Sequence, residues 1–114
     1  MQAGFSYISH FFHTTRRYIQ RHNHNCFELV YYKEGRGNTV INKDSPLCYR
    51  ENTYVIYRPY DFHTETHDTD SFVYCLGFSM DSGSPLCPKS GLYTDAGGTI
   101  LAHIEAMSQE VNQK

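Results

Sequence analysis

The sequence predicts an all-β fold, a sandwich or barrel, with one C-terminal α-helix. Two patterns predict it. Through residue 80, short runs of aromatic and β-branched residues are parted by Gly, Pro, Asn and Asp, with no helical period between them. From Thr99 the spacing changes: Ile100, Ile104, Met107 and Val111 recur at intervals of four, three and four, and Leu101 widens the stripe. The chain has 114 residues, which fits one domain. Its 10 Tyr, 7 Phe and 7 His suit a β-rich shell around a polar, aromatic-lined interior.

The strands follow in order. Phe5–His10 and Thr15–Arg21 alternate loosely. Cys26–Lys33 is rich in aromatic and β-branched residues, and Glu34-Gly35-Arg36-Gly37 ends it with turn glycines. Asn38–Ile41 resumes, and Asn42–Pro46 turns. Leu47–Tyr49 is a short strand, Arg50-Glu51-Asn52 a turn, and Thr53–Arg58 a strand closed by Pro59-Tyr60-Asp61. Phe62–Thr66 and Ser71–Phe78 complete the set. The division expected is a barrel with an N-terminal arm (residues 1–80), a Ser-, Pro- and Gly-containing loop (81–98) and a helix (99–114). Thr99 is the expected cap of that helix.

Charge and cysteine usage narrow the function classes. The formal net charge is -2, and basic and acidic residues are balanced through residue 80. With no basic face, the chain is a poor candidate for gripping DNA. No apolar run approaches the roughly 18 residues of a membrane span, and the N-terminus does not read as a signal peptide. Cys26, Cys48, Cys75 and Cys87 contain no C-x-x-C pair. Reduced thiols in the cytoplasm are therefore expected, rather than a zinc knuckle or a disulfide framework.

The chemistry-bearing stretch is His22-Asn23-His24-Asn25-Cys26-Phe27-Glu28. Residues 22, 24 and 28 share parity, so on a strand their side chains point to one side. His63 follows four residues after Pro59. Imidazole nitrogens with one carboxylate suit Zn, Fe, Ni or Mn, with positions left open for a ligand. The competing reading is a metal-free polar cluster whose His and Glu satisfy one another.

The run His22-x-His24-x3-Glu28-x6-Gly35 resembles the first cupin motif, and Arg58-Pro59-Tyr60-Asp61-Phe62-His63 resembles the second. Three details depart from the metal-dependent cupin enzymes. Arg16 stands where a leading glycine is usual, Pro59 to His63 is one residue short, and His67 replaces an asparagine. The phrasing is most similar to the N-terminal cupin domain of AraC-type transcription regulators: His22 through Tyr32, Gly35 and Gly37, Arg58 through His63, then Phe78-Ser79.

That resemblance implies a cupin-type double-stranded β-helix (jelly-roll) barrel that senses a small polar effector such as a sugar, and is not an enzyme. It implies a homodimer joined through the stripe Ile100, Leu101, Ile104, Met107 and Val111, with Met1–Thr14 as a mobile arm. DNA would be reached only through a further C-terminal domain that this chain lacks. The ligand-binding set is His22, His24, Glu28, Arg58, His63 and Tyr74. Arg16, Tyr31, Tyr32 and His67 are further wall candidates. No cofactor is required, although His22, His24, Glu28 and His63 suit Zn or Ni. A small metal-dependent cupin enzyme, a dioxygenase or isomerase, is the alternative. The stripe has its own alternative, packing against the barrel of the same chain.

Overall fold

The structure, a computed structural model, describes residues 3–81, 83 and 85–112. Its strands are β1 (Ala3–His13), β2 (Arg17–His22), β3 (Phe27–Glu34), β4 (Gly37–Ile41), β5 (Leu47–Tyr49), β6 (Thr53–Tyr57), β7 (His63–His67), β8 (Ser71–Met80) and β9 (Gly91–Thr94). A 3-10 turn, Ala96–Gly98, leads into helix α1 (Thr99–Asn112). The strands form two antiparallel sheets, one ordered β1-β8-β3-β6-β9 and the other β2-β7-β4-β5.

The five-stranded sheet is covered on both faces, and β3 shows why its sequence does not alternate. Phe27 through Tyr32 are all buried. Val30 and Tyr32 pack between the sheets with Ile41, Tyr49, Val55, Tyr57 and Val73. Phe27, Leu29 and Tyr31 pack on the other side with Ile56, Tyr74 and Ile104 of α1. A strand with two buried faces reads as a continuous apolar run. On β8 the same division sends Val73 and Cys75 inward and Phe72, Tyr74, Leu76 and Phe78 toward the helix.

Three expectations need correction. The first is the N-terminal arm: its residues 3–13 lie in β1, an edge strand paired with β8 from Ala3↔Met80 to His13↔Ser71. The arm's first two positions, Met1 and Gln2, lie outside the described residues. Gly91–Thr94, expected in a loop, is β9 and pairs with β6, so the sheet extends well past residue 80. Four residues are too few to show a strand period after a Ser- and Pro-rich stretch. Thr99 lies inside the helix with α-helical backbone angles, and the cap is Asp95. Its carboxylate accepts from the backbone N–H groups of Ile100 (3.1 Å) and Leu101 (3.0 Å) across the 3-10 turn, and from Tyr31 Oη (2.6 Å).

The apolar stripe of α1 faces the sheet, the alternative expected of it. It packs largely on its own barrel: Ile104 is buried, and Ile100 and Leu101 pack against the same cluster. Met107 and Val111 remain at its edge, beside Phe5. Glu105 ties the helix to the sheet through Lys33 Nζ (2.8 Å) and Tyr74 Oη (2.9 Å). No helix among the described residues is long and apolar enough to cross a membrane. All four cysteines are free.

Candidate metal and ligand site

Three chain segments, rather than one strand face, bring the predicted cluster together. His22 closes β2 and pairs in register with His63, which opens β7; the register shifts between Ile19 and His22. His24 lies in the link to β3, and Glu28 sits on β3. Ring centroids separate His22 from His63 by 4.1 Å, His22 from His24 by 5.0 Å and His24 from His63 by 5.7 Å. One ligand atom from each of His22, His24, Glu28 and His63 lies within 4.8 Å of the others.

The hydrogen bonds around these side chains aim their free atoms inward. His22 Nδ1 lies 2.8 Å from the Gln20 carbonyl, and His63 Nδ1 lies 3.4 Å from the Asp61 carbonyl. A carbonyl can only accept, so both contacts favour the proton on Nδ1 and leave a lone pair on Nε2. His63 Nε2 is buried, has no hydrogen-bond partner, and lies 3.6 Å from Glu28 Oε1. His24 Nε2 lies 3.6 Å from Glu28 Oε2. A lone pair facing a carboxylate across that gap is unfavourable unless a proton or a metal cation lies between them. The donor set, three imidazoles and one carboxylate, therefore fits a divalent transition metal with open positions.

Tyr7 on β1 orients the carboxylate. Its hydroxyl donates to Glu28 Oε2 at 2.5 Å. Burial and the adjacent Glu28 charge raise the phenol above its usual range, so it remains a donor. Burial pushes the Glu28 carboxyl up, but His63, Tyr7 and the nearby His24 outweigh that and hold it below the ordinary value. Gly77 makes room for the arrangement, since a Cβ there would lie 2.0 Å from the Tyr7 ring. Tyr57 supports His63 from below, with rings stacked at 3.6 Å.

The cluster opens on a cavity of about 290 Å³ whose wall includes Phe11, His13, Arg17, Ile19, Glu65 and Cys75. Beyond it runs a polar network. Glu65 accepts from Tyr57 Oη (3.1 Å), and Thr39 Oγ1 meets the same hydroxyl at 2.7 Å. His67 Nδ1 meets Tyr49 Oη at 2.5 Å, which in turn meets Ser71 Oγ at 2.8 Å. Burial pushes the Tyr49 hydroxyl up to about 12. His13 stacks on His67 at 4.3 Å, and desolvation with His67 and Arg17 nearby lowers its pKa.

Two predicted ligand residues fall elsewhere. Arg58 follows the end of β6 and borders a separate depression with Pro59, Tyr60, Asp61 and Met80. Tyr74 faces α1 and donates to Glu105. Among the further wall candidates, Tyr31 also faces the helix side, and Arg16 is exposed in a turn at φ 66°. Tyr32 and His67 are fully buried between the sheets. Sequence reasoning missed Tyr7, His13 and Glu65. The period of His63-Thr64-Glu65-Thr66-His67 points to Glu65 once His63 is known to face inward; Tyr7 has no such signal.

The two packed antiparallel sheets are shared with known structures. A cupin superfamily protein from Desulfitobacterium hafniense superposes with a TM-score of 0.60 at 10% identity, covering 64% of this chain and 66% of that one. The fold is a cupin barrel. An RmlC-like cupin from Shewanella frigidimarina gives a TM-score of 0.59 at 11% identity, over 66% of this chain and 67% of that one. Oxalate decarboxylase of Bacillus subtilis, a protein with Mn(II) centres, gives 0.55 at 12% identity over 66% of this chain and 22% of that one. No protein-family model and no curated protein sequence matches the chain. The chain thus spans about two-thirds of the first two of these cupins and a far smaller part of the enzyme.

Proposed function

We propose that this cupin barrel is the effector-sensing module of an AraC-type transcription regulator, with a divalent metal held at His22, His24, Glu28 and His63. The motif phrasing supports the family, and one structural observation supports sensing. Strand β3 carries Glu28 on its cavity side and Leu29 and Tyr31 on its helix side, and Tyr31 bonds the Asp95 cap of α1. Cavity and helix are therefore one strand apart. A ligand that binds one barrel state better shifts the population of helix positions by its differential affinity. A divalent cation, when bound, supplies a Lewis-acidic anchor for an oxygen ligand. In this reading the module is cytoplasmic, pairs with a second copy, and reaches DNA through a separate domain.

Nickel chloride alone provides the test. Calorimetry should show saturable binding by the chain and none by a His22→Ala/His24→Ala variant, and hydrogen exchange in β3 and α1 should slow when nickel is added. Nickel binding that leaves α1 exchange unchanged would sink the sensing part. A native reading frame that continues into two helix-turn-helix units supports the regulator, and one that stops at Lys114 overturns it.

The second reading is a small metal-dependent cupin enzyme, favoured by the three-His, one-Glu donor set. Turnover of a candidate substrate by the nickel-, iron- or manganese-loaded chain, lost in the double variant, would establish it over sensing.

A further inference from the structure

A second polar group faces the same cavity and plays no part in the metal cluster. On β7, His63, Glu65 and His67 share the inward face, with about 7 Å between successive members. Glu65 is only 7% exposed and forms part of the cavity wall. One of its oxygens accepts from Tyr57 Oη. The other lies 3.3 Å from His67 Nε2, a buried nitrogen without a hydrogen-bond partner. A carboxylate offers about four acceptor sites, and a buried one is costly to leave under-supplied. Glu65 thus has acceptor capacity to spare, and the cavity is where a donor can reach it.

The other end of the cavity has the opposite preference. A divalent cation held at the cluster, opposed by the single carboxylate of Glu28, leaves net positive charge there. That end favours an anion; Glu65 favours a donor. The volume of about 290 Å³ lies at the small end of ligand clefts.

We propose that the cavity takes a short-chain hydroxy acid, with its carboxylate toward the metal cluster and its distal hydroxyl donating to Glu65. This rests on the metal and ligand reading above and adds the chemical class of the ligand. Matched pairs test it by calorimetry on the nickel-loaded protein: 3-hydroxypropionate against propionate, and 4-hydroxybutyrate against butyrate. Distal hydroxyls are used because a hydroxyl beside the carboxylate would chelate the metal without any help from Glu65.

In at least one pair the hydroxy acid should bind about tenfold tighter or more, as expected for a hydrogen bond to a charged group. Glu65→Gln should shrink that gap to less than about threefold while nickel binding and plain-acid affinity persist. Independently of any variant, 3-methoxypropionate, whose ether oxygen cannot donate, should lose the advantage of 3-hydroxypropionate. Equal affinities within both pairs, a gap that survives Glu65→Gln, or a methoxy acid as tight as the hydroxy acid would each overturn the proposal. Failure of nickel to bind would instead overturn the metal reading on which it rests.

Discussion

Replacing Gly77 by Ala tests how the barrel holds Glu28. Gly77 pairs with Tyr7 across β1 and β8, and an added Cβ would stand 2.0 Å from the Tyr7 ring. The ring must swing away, and its hydroxyl then leaves the Glu28 oxygen that it meets at 2.5 Å. Two costs combine. Overpacking typically costs about 1–3 kcal/mol. A hydrogen bond to a charged group is worth about 1.5–3 kcal/mol. Tyr7 is half-buried on an edge strand, so outward motion relieves part of the clash, and the sum falls at about 2–4 kcal/mol.

Urea denaturation of a double-mutant cycle separates the two costs. Tyr7→Phe loses only the hydroxyl and should cost about 1.5–3 kcal/mol. Once Tyr7→Ala has removed the ring, Gly77→Ala should cost less than about 0.5 kcal/mol further. Nickel affinity should drop about 10- to 100-fold in both Tyr7→Phe and Gly77→Ala, as for other groups that orient a metal ligand. Additivity of Gly77→Ala and Tyr7→Ala to within about 0.5 kcal/mol would refute the argument, because the two residues would then act separately.

Three further outcomes are expected. Ile104→Ala should cost about 2–5 kcal/mol, because the side chain is 3% exposed between sheet and helix, whereas Val111→Ala, 46% exposed, should stay within about 0.5 kcal/mol; equal effects in chemical denaturation would contradict the packing of α1. At Asp95, burial raises the carboxyl, but Tyr31 and the helix N–H groups outweigh it and leave the folded pKa depressed. Its stabilisation is then fully present above the unfolded carboxylate value of about 4 and is lost as pH falls through the lower folded value. Asp95→Asn should therefore flatten the acid limb of a stability-against-pH curve, and an unchanged limb would count against the cap. Cys48 is exposed, whereas burial holds the Cys75 thiol well above its usual range. A thiol reagent should modify Cys48 faster than Cys75, as read by peptide mass spectrometry.

The sequence carried the β-fold, the terminal helix and the four cluster residues because each is a local or short-range signal. Turn residues part the strands, α1 has a clear apolar period, and His22, His24 and Glu28 lie within seven positions. Even there the mechanism differed: the link between β2 and β3 makes them converge, together with the pairing of His22 with His63, and not a common strand face. Strand parity grouped Phe72, Tyr74, Leu76 and Phe78 correctly, yet parity has no sign. Only α1, docked on one side of the five-stranded sheet, decides that this face is outside the cavity and that Tyr74 serves the helix.

Long-range pairing decided the rest. Tyr7 reaches Glu28 over 21 positions, and Tyr31 reaches Asp95 over 64. No local pattern encodes either contact, because both depend on which strands become neighbours. The apolar stripe likewise shows that α1 buries one face without saying against what. The sequence by itself therefore determined the element types and the chemistry available. The tertiary structure decided which sheet face each side chain occupies and which partner it meets, since those follow from strand order and helix docking.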